Sequence, residues 1–548
     1  MKAKFLTLAL LLIVQSIFAQ ITGIWKGDLD IQGMKLPMII DVKSEDNSYK
    51  SLAYSPKQTT KSITVDKTDF NNGNFSFKIE KLNAEYSGKL KGEEIVGVFS
   101  QNGATFPLNL HKITDADFKK SMQSEIPPIG NREINLKKID EYLDYIAKHN
   151  QGIGSLSIFR HGTEIYRKDF GQTGIAQKFD KNTGYQIGSI SKLMTAVMLM
   201  QQVEKGKLNL SDKLSKYFPD APNASKITIE TMLNHTSGLG DYVGADYEWL
   251  FGKSIGDKVI FDTIKKQGVD FQPGAEVRYS NSAYWLLSRI LEKITNKPYH
   301  ILLKENITDK AGMKNTFSVL DRPKNIFAAY EFNDKNWQPI EDFDFRNCIG
   351  LGDITSTTTD LNQFINTLFQ NKFLKKETLQ QMLPTDKPFG LGVMGIPFYN
   401  IKSYGHGGDT AGTHSAVSYN PQDDYSFAIT VNGERMPRND LAIGILNIIY
   451  NQEYEFPKFE ESAVSQEDLD KLSGEFTSSE LPLDITVFKK ATKLWAQGKG
   501  QRAFPLTQTV NSKNEFSCKE IGVIMIFNED GKNMLLKQGG KAYHYKKK

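Results

Sequence analysis

Ser189 and Lys192 stand three residues apart at the head of the most apolar stretch of the chain, the Leu-Met-Thr-Ala-Val-Met-Leu-Met run at 193–200. On a helix that spacing puts hydroxyl and amine on one face of the first turn. Serine is a poor nucleophile until a neighbour takes its proton. A lysine can do so only when desolvation or a nearby cation brings its pKa well below ~10. A buried helix supplies the desolvation, and its N-terminus supplies free N–H groups for the anion formed when a carbonyl is attacked. A capping serine beside a surface lysine would look the same in isolation, but the sequence holds no other Ser-x-x-Lys. Gly206 closes the run where a left-handed C-cap residue would sit.

Two later stretches carry further polar groups. Tyr279-Ser-Asn281 follows a Pro-Gly turn and runs into an apolar helix expected over 283–294, so a phenol and an amide two residues apart can share a cleft. A packed tyrosine and a helix-capping asparagine are the ordinary alternative; this is the only Tyr-x-Asn present. His406-Gly407-Gly408-Asp409 lies in the first of three consecutive segments that read as antiparallel strands. The paired glycines leave backbone bare for an extended substrate at a sheet edge, though a lone histidine beside glycines is usually just a strand end.

The elements that must position these groups follow from patterning. Residues 1–19 have two lysines, a short apolar core and Ala19, the features of a secretory signal; the core is too short to span a bilayer, which takes ~20 residues. Segments alternating in polarity over 20–115 read as a small all-β sandwich or barrel, and the polar, Pro127-Pro128-bearing stretch 116–132 as a linker. A helix is expected over 139–146, then a β-hairpin turning at His161-Gly162, helices at 208–218 and 227–233, and a closing helix over 441–450. Tyr242, Tyr247 and Trp249 crowd one loop as pocket-lining or core-capping aromatics. After a polar stretch, strands return over 466–548 as a second small β-barrel.

A net charge of +4 over 548 residues, with 39% hydrophobic and 24% charged residues, gives no sign of a nucleic-acid partner. Cys348 and Cys518 are too far apart for a disulfide framework.

Taken together, Ser189-x-x-Lys192, Tyr279-x-Asn281 and His406-Gly407-Gly408, with Asn234-His-Thr-Ser-Gly-Leu239, resemble the serine hydrolases related to class C β-lactamases, penicillin-binding D,D-peptidases and their esterase and D-aminopeptidase relatives. The resemblance implies an α/β (α+β) fold: a catalytic domain over 133–455 with an antiparallel sheet flanked by helices plus an all-helical part. The small all-β domain precedes it, and the barrel behind it is similar to lipocalin-like domains. Ser189 would be the acylated nucleophile, and Lys192 and Tyr279 would share the proton work as a pair. Asn281 would orient Lys192 and the substrate amide, the Ser189 and Asp409 N–H groups would form the oxyanion hole, and His406, Gly407 and Gly408 would line the substrate. No metal or cofactor is implied.

One departure bears on substrate. Where β-lactamases and D,D-peptidases usually have Lys-Thr-Gly, this chain has His406-Gly-Gly, exchanging a permanent cation for a group expected to gain charge only as pH falls through about 6.5. The implied function is an exported, periplasmic or secreted hydrolase without a membrane anchor. It would act through an acyl-serine on D-amino-acid peptides, esters or β-lactams. The alternative is a penicillin- or cell-wall-fragment-binding sensor that does not turn over.

Overall fold

The computed structural model describes residues 21–548 except 32–33, 46–47, 102–103, 124, 178, 245–249, 334–335, 386, 458, 460–465, 491–492, 500–502, 509–513, 519–521 and 539–540. The signal-like segment 1–19, Tyr247 and Trp249 lie outside these residues. Packing divides the chain into two units, Pro127–Glu455 and the combination of Met1–Ile126 with Phe456–Lys548.

In the second of these, ten strands between Gly23 and Ile113 form one antiparallel sheet. The segments are not equal: Lys67–Asn71 is short and holds Phe70 as its one apolar residue, whereas Ala84–Lys91 alternates buried and exposed positions, and its Tyr86 packs with Phe75 and Phe77 of the neighbouring strand. The stretch expected as a linker opens with a helix, Asp115–Met122, whose Thr114 and Asp117 form a reciprocal capping box. Eight strands from Gly474–Thr477 to Lys541–Lys547 close a barrel. Phe476, Val487, Leu494, Phe516, Met525 and Tyr545 are buried in its core.

Pro127–Glu455 holds the elements expected to carry chemistry. Its sheet runs in the order Thr163–Phe170, Gly152–Arg160, Tyr425–Glu434, His414–Asn420, Ile401–Asp409, Met394–Phe398 with antiparallel neighbours, and Tyr330–Phe332 joins Tyr425–Glu434 in parallel off this path. The first two strands turn at His161 and Gly162, with φ of 50° and 72°, the left-handed pair of a two-residue hairpin loop. A short sheet of Tyr185–Gln186, Ile354–Ser356 and Phe317–Ser318 stands beside it.

Against these sheets packs the helix Ile190–Glu204, buried at every residue from Ile190 to Gln202. It has no polar face because helices and loops surround it: its Leu193, Met194, Val197 and Met200 share one core with Tyr284, Leu287, Leu302 and Phe364. Gly206, at φ 67°, ends it, with the Lys207 amide reaching back to the Gln202 carbonyl. The expected helix at 208–218 is instead a loop with one 3-10 turn, Leu214–Lys216. The Asp212 carboxylate accepts the Asn209 amide and so offers the backbone an alternative to helical bonds. A five-residue helix, Ile229–Leu233, follows.

Candidate active site

Ser189 caps the buried helix, and its side chain makes no capping bond, which leaves the hydroxyl to Lys192. The Lys192 Nζ lies 2.8 Å from Ser189 Oγ and donates to the Leu351 carbonyl at 3.0 Å. The lysine side chain has no exposure to water. Burial brings its pKa down to about 7, against a smaller upward pull from Asp241. Much of the amine is therefore unprotonated at neutral pH, with its lone pair free to accept the serine proton. The loop that holds it is itself braced: Gly350 N–H donates to Asp353 at 2.8 Å, and Thr195 Oγ1 donates to the Gly350 carbonyl at 2.7 Å.

Tyr279 covers the same amine, Lys192 Nζ lying 4.8 Å from its ring centroid. The Tyr279 hydroxyl is buried and completes no hydrogen bond of good geometry. Burial raises its pKa well above that of an ordinary phenol, and the nearby Ser189 hydroxyl offsets part of the rise. The phenol thus stays protonated across the working pH range. Its ring stacks on His235 at 4.3 Å, and His235 Nδ1 accepts the Ser280 amide, so the neutral imidazole carries its proton on Nε2. Burial and then Lys192 hold the His235 pKa well below the usual value. Asn281 is the first residue of the helix Asn281–Thr295, which Ser280 caps. Its amide donates to Asp241 Oδ2 at 2.9 Å, so Asn281 is fixed by Asp241 and is not bonded to Lys192.

The third piece is the strand Ile401–Asp409. Its partner Met394–Phe398 stops opposite Gly405, so from His406 to Asp409 one edge is left open. At Gly408 one face of the same strand lies against the Ile187–Ser189 backbone. A Cβ on Gly408 would sit 1.9 Å from the Ile187 carbonyl oxygen and 2.9 Å from Ser189 N. One on Gly188 (φ 52°) would sit 2.8 Å from Asp409 N. The missing side chains thus bring the Ser189 and Asp409 amides side by side, and the Ser189 amide finds no backbone acceptor among the described residues. Charged groups fasten the strand end. Arg438 donates to the Ser415 carbonyl at 2.7 Å and to Asp409 at 3.1 Å, and His414 Nδ1 lies 2.8 Å from Asp409. The Asp409 carboxyl is held below its usual pKa; burial opposes the shift, and His414 and Arg438 overcome it.

His406 differs from its expectation. It is only 2% exposed, and burial takes its pKa down to about 4 against a weaker opposing pull from the Gly407 carbonyl. Its Nδ1 donates to that carbonyl, which favours the charged ring, but burial outweighs it and the ring is neutral throughout the range in which it was expected to titrate. The structure brings Ser189, Lys192, Tyr279, Gly408 and Asp409 together, with Asn281 beside them through Asp241. Sequence reasoning missed His235, Asp241, Leu351, His414 and Arg438. The first two lay in or next to the Asn234–Leu239 segment already singled out; the others carry no local signal. Among the described residues no group of three His, Cys, Asp or Glu side chains is placed to hold a metal, and Cys348 and Cys518 are buried and form no disulfide.

Comparison with known proteins finds the Beta-lactamase family over residues 139–448. The chain is 27% identical over 295 residues to the putative penicillin-binding protein PbpX of Bacillus subtilis (strain 168), spanning 52% of this chain and 72% of that protein. It is 26% identical over 281 residues to the teichoic acid D-alanine hydrolase of Staphylococcus aureus, spanning 50% and 67%. Among solved structures, the D-amino acid amidase from Ochrobactrum anthropi SV3 complexed with L-phenylalanine superposes with a TM-score of 0.52 at 23% identity, covering 58% of this chain and 98% of that one. The octameric penicillin-binding protein homologue from Pyrococcus abyssi gives 0.52 at 21% identity, covering 75% and 100%. These two structural likenesses concern the fold.

Proposed function

The chain belongs to the β-lactamase family, and we propose that it is an exported serine hydrolase whose 133–455 region opens amide or ester bonds through an acyl-enzyme on Ser189. The observation that carries this reading is the 2.8 Å contact between Ser189 Oγ and a fully buried Lys192 amine whose pKa is brought to about 7.

Lys192 takes the serine proton as Oγ attacks the carbonyl carbon. The carbonyl oxygen becomes an anion between the Ser189 and Asp409 N–H groups, which are preorganised and need no reorientation. Tyr279, kept protonated by burial, passes its proton to the leaving amine or alcohol and regains one from the Lys192 ammonium. The same pair then activates water to release the acid. His235, stacked on the phenol, holds it in place. Export rests on the charged, apolar and small-residue pattern of residues 1–19.

Neutral His406 offers no cation to a substrate carboxylate, which weighs against β-lactams as the preferred substrate. The names of the teichoic acid D-alanine hydrolase and the D-amino acid amidase support an aminoacyl ester or amide instead. The test is mass spectrometry of the purified protein after mixing with p-nitrophenyl esters, D-aminoacyl amides and a cephalosporin side by side. An acyl adduct on the Ser189 peptide with multiple product turnovers is expected. An adduct that never turns over would make this a binding or sensor protein, and no adduct at Ser189 with any of them would end the reading.

A further inference from the structure

The segment from Cys348 to Ile354 meets the nucleophile from two directions. Its Leu351 carbonyl accepts Lys192 Nζ at 3.0 Å, and its Ile354 carbonyl accepts the Ile187 N–H at 3.1 Å, two residues before Ser189. A neutral amine has two N–H groups and one lone pair, so a fixed acceptor on one N–H decides where the lone pair points. Asn281 was expected to orient the amine, but its own amide is taken by Asp241. Among the described residues the Leu351 carbonyl is the acceptor bonded to Nζ besides the Ser189 hydroxyl. What fixes Leu351 is Asp353. Its two carboxylate oxygens accept the Gly350 N–H at 2.8 Å and the Ser318 hydroxyl, and its own carbonyl accepts the Val319 N–H at 2.9 Å. The bond to Gly350 closes a turn in which the Leu351 and Gly352 amides both reach the Cys348 carbonyl. From the helix, Thr195 Oγ1 donates to the Gly350 carbonyl at 2.7 Å. Gly350, at φ 82°, is packed closely, since a Cβ there would lie 2.2 Å from the Ser288 Cβ. Asp353 is completely buried, burial raises its pKa to about 6, and no cationic side chain forms an ion pair with it among the described residues. A carboxylate in that position costs stability, a cost that an apolar residue would not carry.

Resting on the acyl-serine reading, we infer that Asp353 is a positioning residue for the base: by holding the Gly350–Leu351 peptide it aims one Lys192 N–H at the Leu351 carbonyl and leaves the lone pair to the Ser189 hydroxyl. It acts through Leu351 and bonds neither Ser189 nor Lys192. Without the Gly350 contact the turn loses its closing bond, the Leu351 carbonyl is free to rotate, and the amine loses the acceptor that orients it. Two effects follow. The lone pair meets Ser189 in a smaller fraction of molecules, which lowers the rate at every pH. The carbonyl also stabilises the ammonium more than the amine, so its departure moves the Lys192 pKa down. The carboxylate charge is not needed for this task, because a side-chain amide oxygen can accept the Gly350 N–H while its NH₂ donates to the Ser318 oxygen.

The experiment is the second-order rate of Ser189 labelling by a fluorophosphonate between pH 5.5 and 9, read by mass spectrometry, for wild type, Asp353→Ala, Asp353→Asn and Thr195→Val. Wild type should break near pH 7, where Lys192 titrates. Asp353→Ala leaves a buried N–H unpaired and should lower the plateau rate by at least about tenfold, with the break moved to lower pH. Asp353→Asn should recover the break and most of the plateau. Thr195→Val loosens the same peptide at its carbonyl while Asp353 stays in place, and should move the break in the same direction by less. A brace with no part in the reaction would lower the unfolding temperature and leave the break where it is. An unmoved break in Asp353→Ala, or an Asp353→Asn variant as slow as Asp353→Ala, overturns the inference. If Asp353→Ala does not fold, the break in Thr195→Val decides in its place. Either failure with wild-type labelling intact removes only the positioning role, whereas absence of wild-type labelling at Ser189 removes the reaction on which it rests.

Discussion

On the helix side of Ser189 the groups are stripped of water: burial lowers the Lys192 pKa to about 7, holds that of His235 well below its usual value and keeps Tyr279 a protonated phenol, whose ring packs on both. On the strand side, the contacts of Asp409 with His414 and Arg438 hold the carboxyl below its usual pKa and raise that of His414, and Asp409 itself is exposed. The two sides perform different tasks. Moving a proton needs a base whose charged form is disfavoured, and for Lys192 burial achieves that. Holding an oxyanion needs amides that do not move, and backbone can be anchored by ion pairs outside the reaction space without altering the chemistry within it.

The contrast is tested most severely by Ser189→Ala, which should abolish covalent labelling by a fluorophosphonate while thermal unfolding stays near wild type; persistent labelling would place the nucleophile elsewhere. Lys192→Ala and Tyr279→Phe should each lower turnover by about 10² to 10⁴, the range for a positioned acid or base, and losses below tenfold at both would shift the proton work to other groups. Arg438→Ala acts only through the strand end and through partly exposed pairs, so a smaller loss of roughly tenfold is expected, in kcat more than in KM. If KM alone rose, Arg438 would be binding substrate rather than steadying the amide.

The pH dependence separates the sides further. Only the unprotonated amine accepts the serine proton, so the acylation rate with a neutral substrate should climb tenfold per pH unit below about 7 and level off above it. Because Asp241 favours the ammonium, Asp241→Asn should move that break to lower pH. The smallest effect concerns His406. With its pKa near 4, KM for a carboxylate-bearing substrate should run parallel to that of a neutral one between pH 5.5 and 8, whereas a break near 6.5 confined to the anionic substrate would mean that the ring is open to water.

The helix side was legible in the sequence because its signals are local. Ser189, Lys192 and Gly206 belong to one continuous turn-by-turn pattern, and Tyr279 and Asn281 flank the start of another. The strand-side supports were not, since Arg438 reaches Asp409 and Ser415 across the sheet, and Leu351 meets Lys192 from 159 positions away. His406 was read correctly in place and wrongly in charge, because burial is a property of everything packed around a residue. Within the barrel, Pro505 argues locally against the strand Ala503–Gln508 that the closed sheet nonetheless forms. The apolar residues over 208–218 promised a helix until the Asp212 side chain claimed a backbone amide.

Gly188 and Gly408 have a consequence for how the enzyme could be tuned. With no side chain on either, the backbone before Ser189 and the backbone of the strand rest directly on each other, and the width of the proposed oxyanion slot is set by the thickness of two peptide chains. A methyl at position 408 would act as a shim, wedging sheet from helix and detuning catalysis while every functional side chain remained in place. The slot is a gauge without moving parts, and relative motion of the two elements it joins would appear directly in the reaction rate.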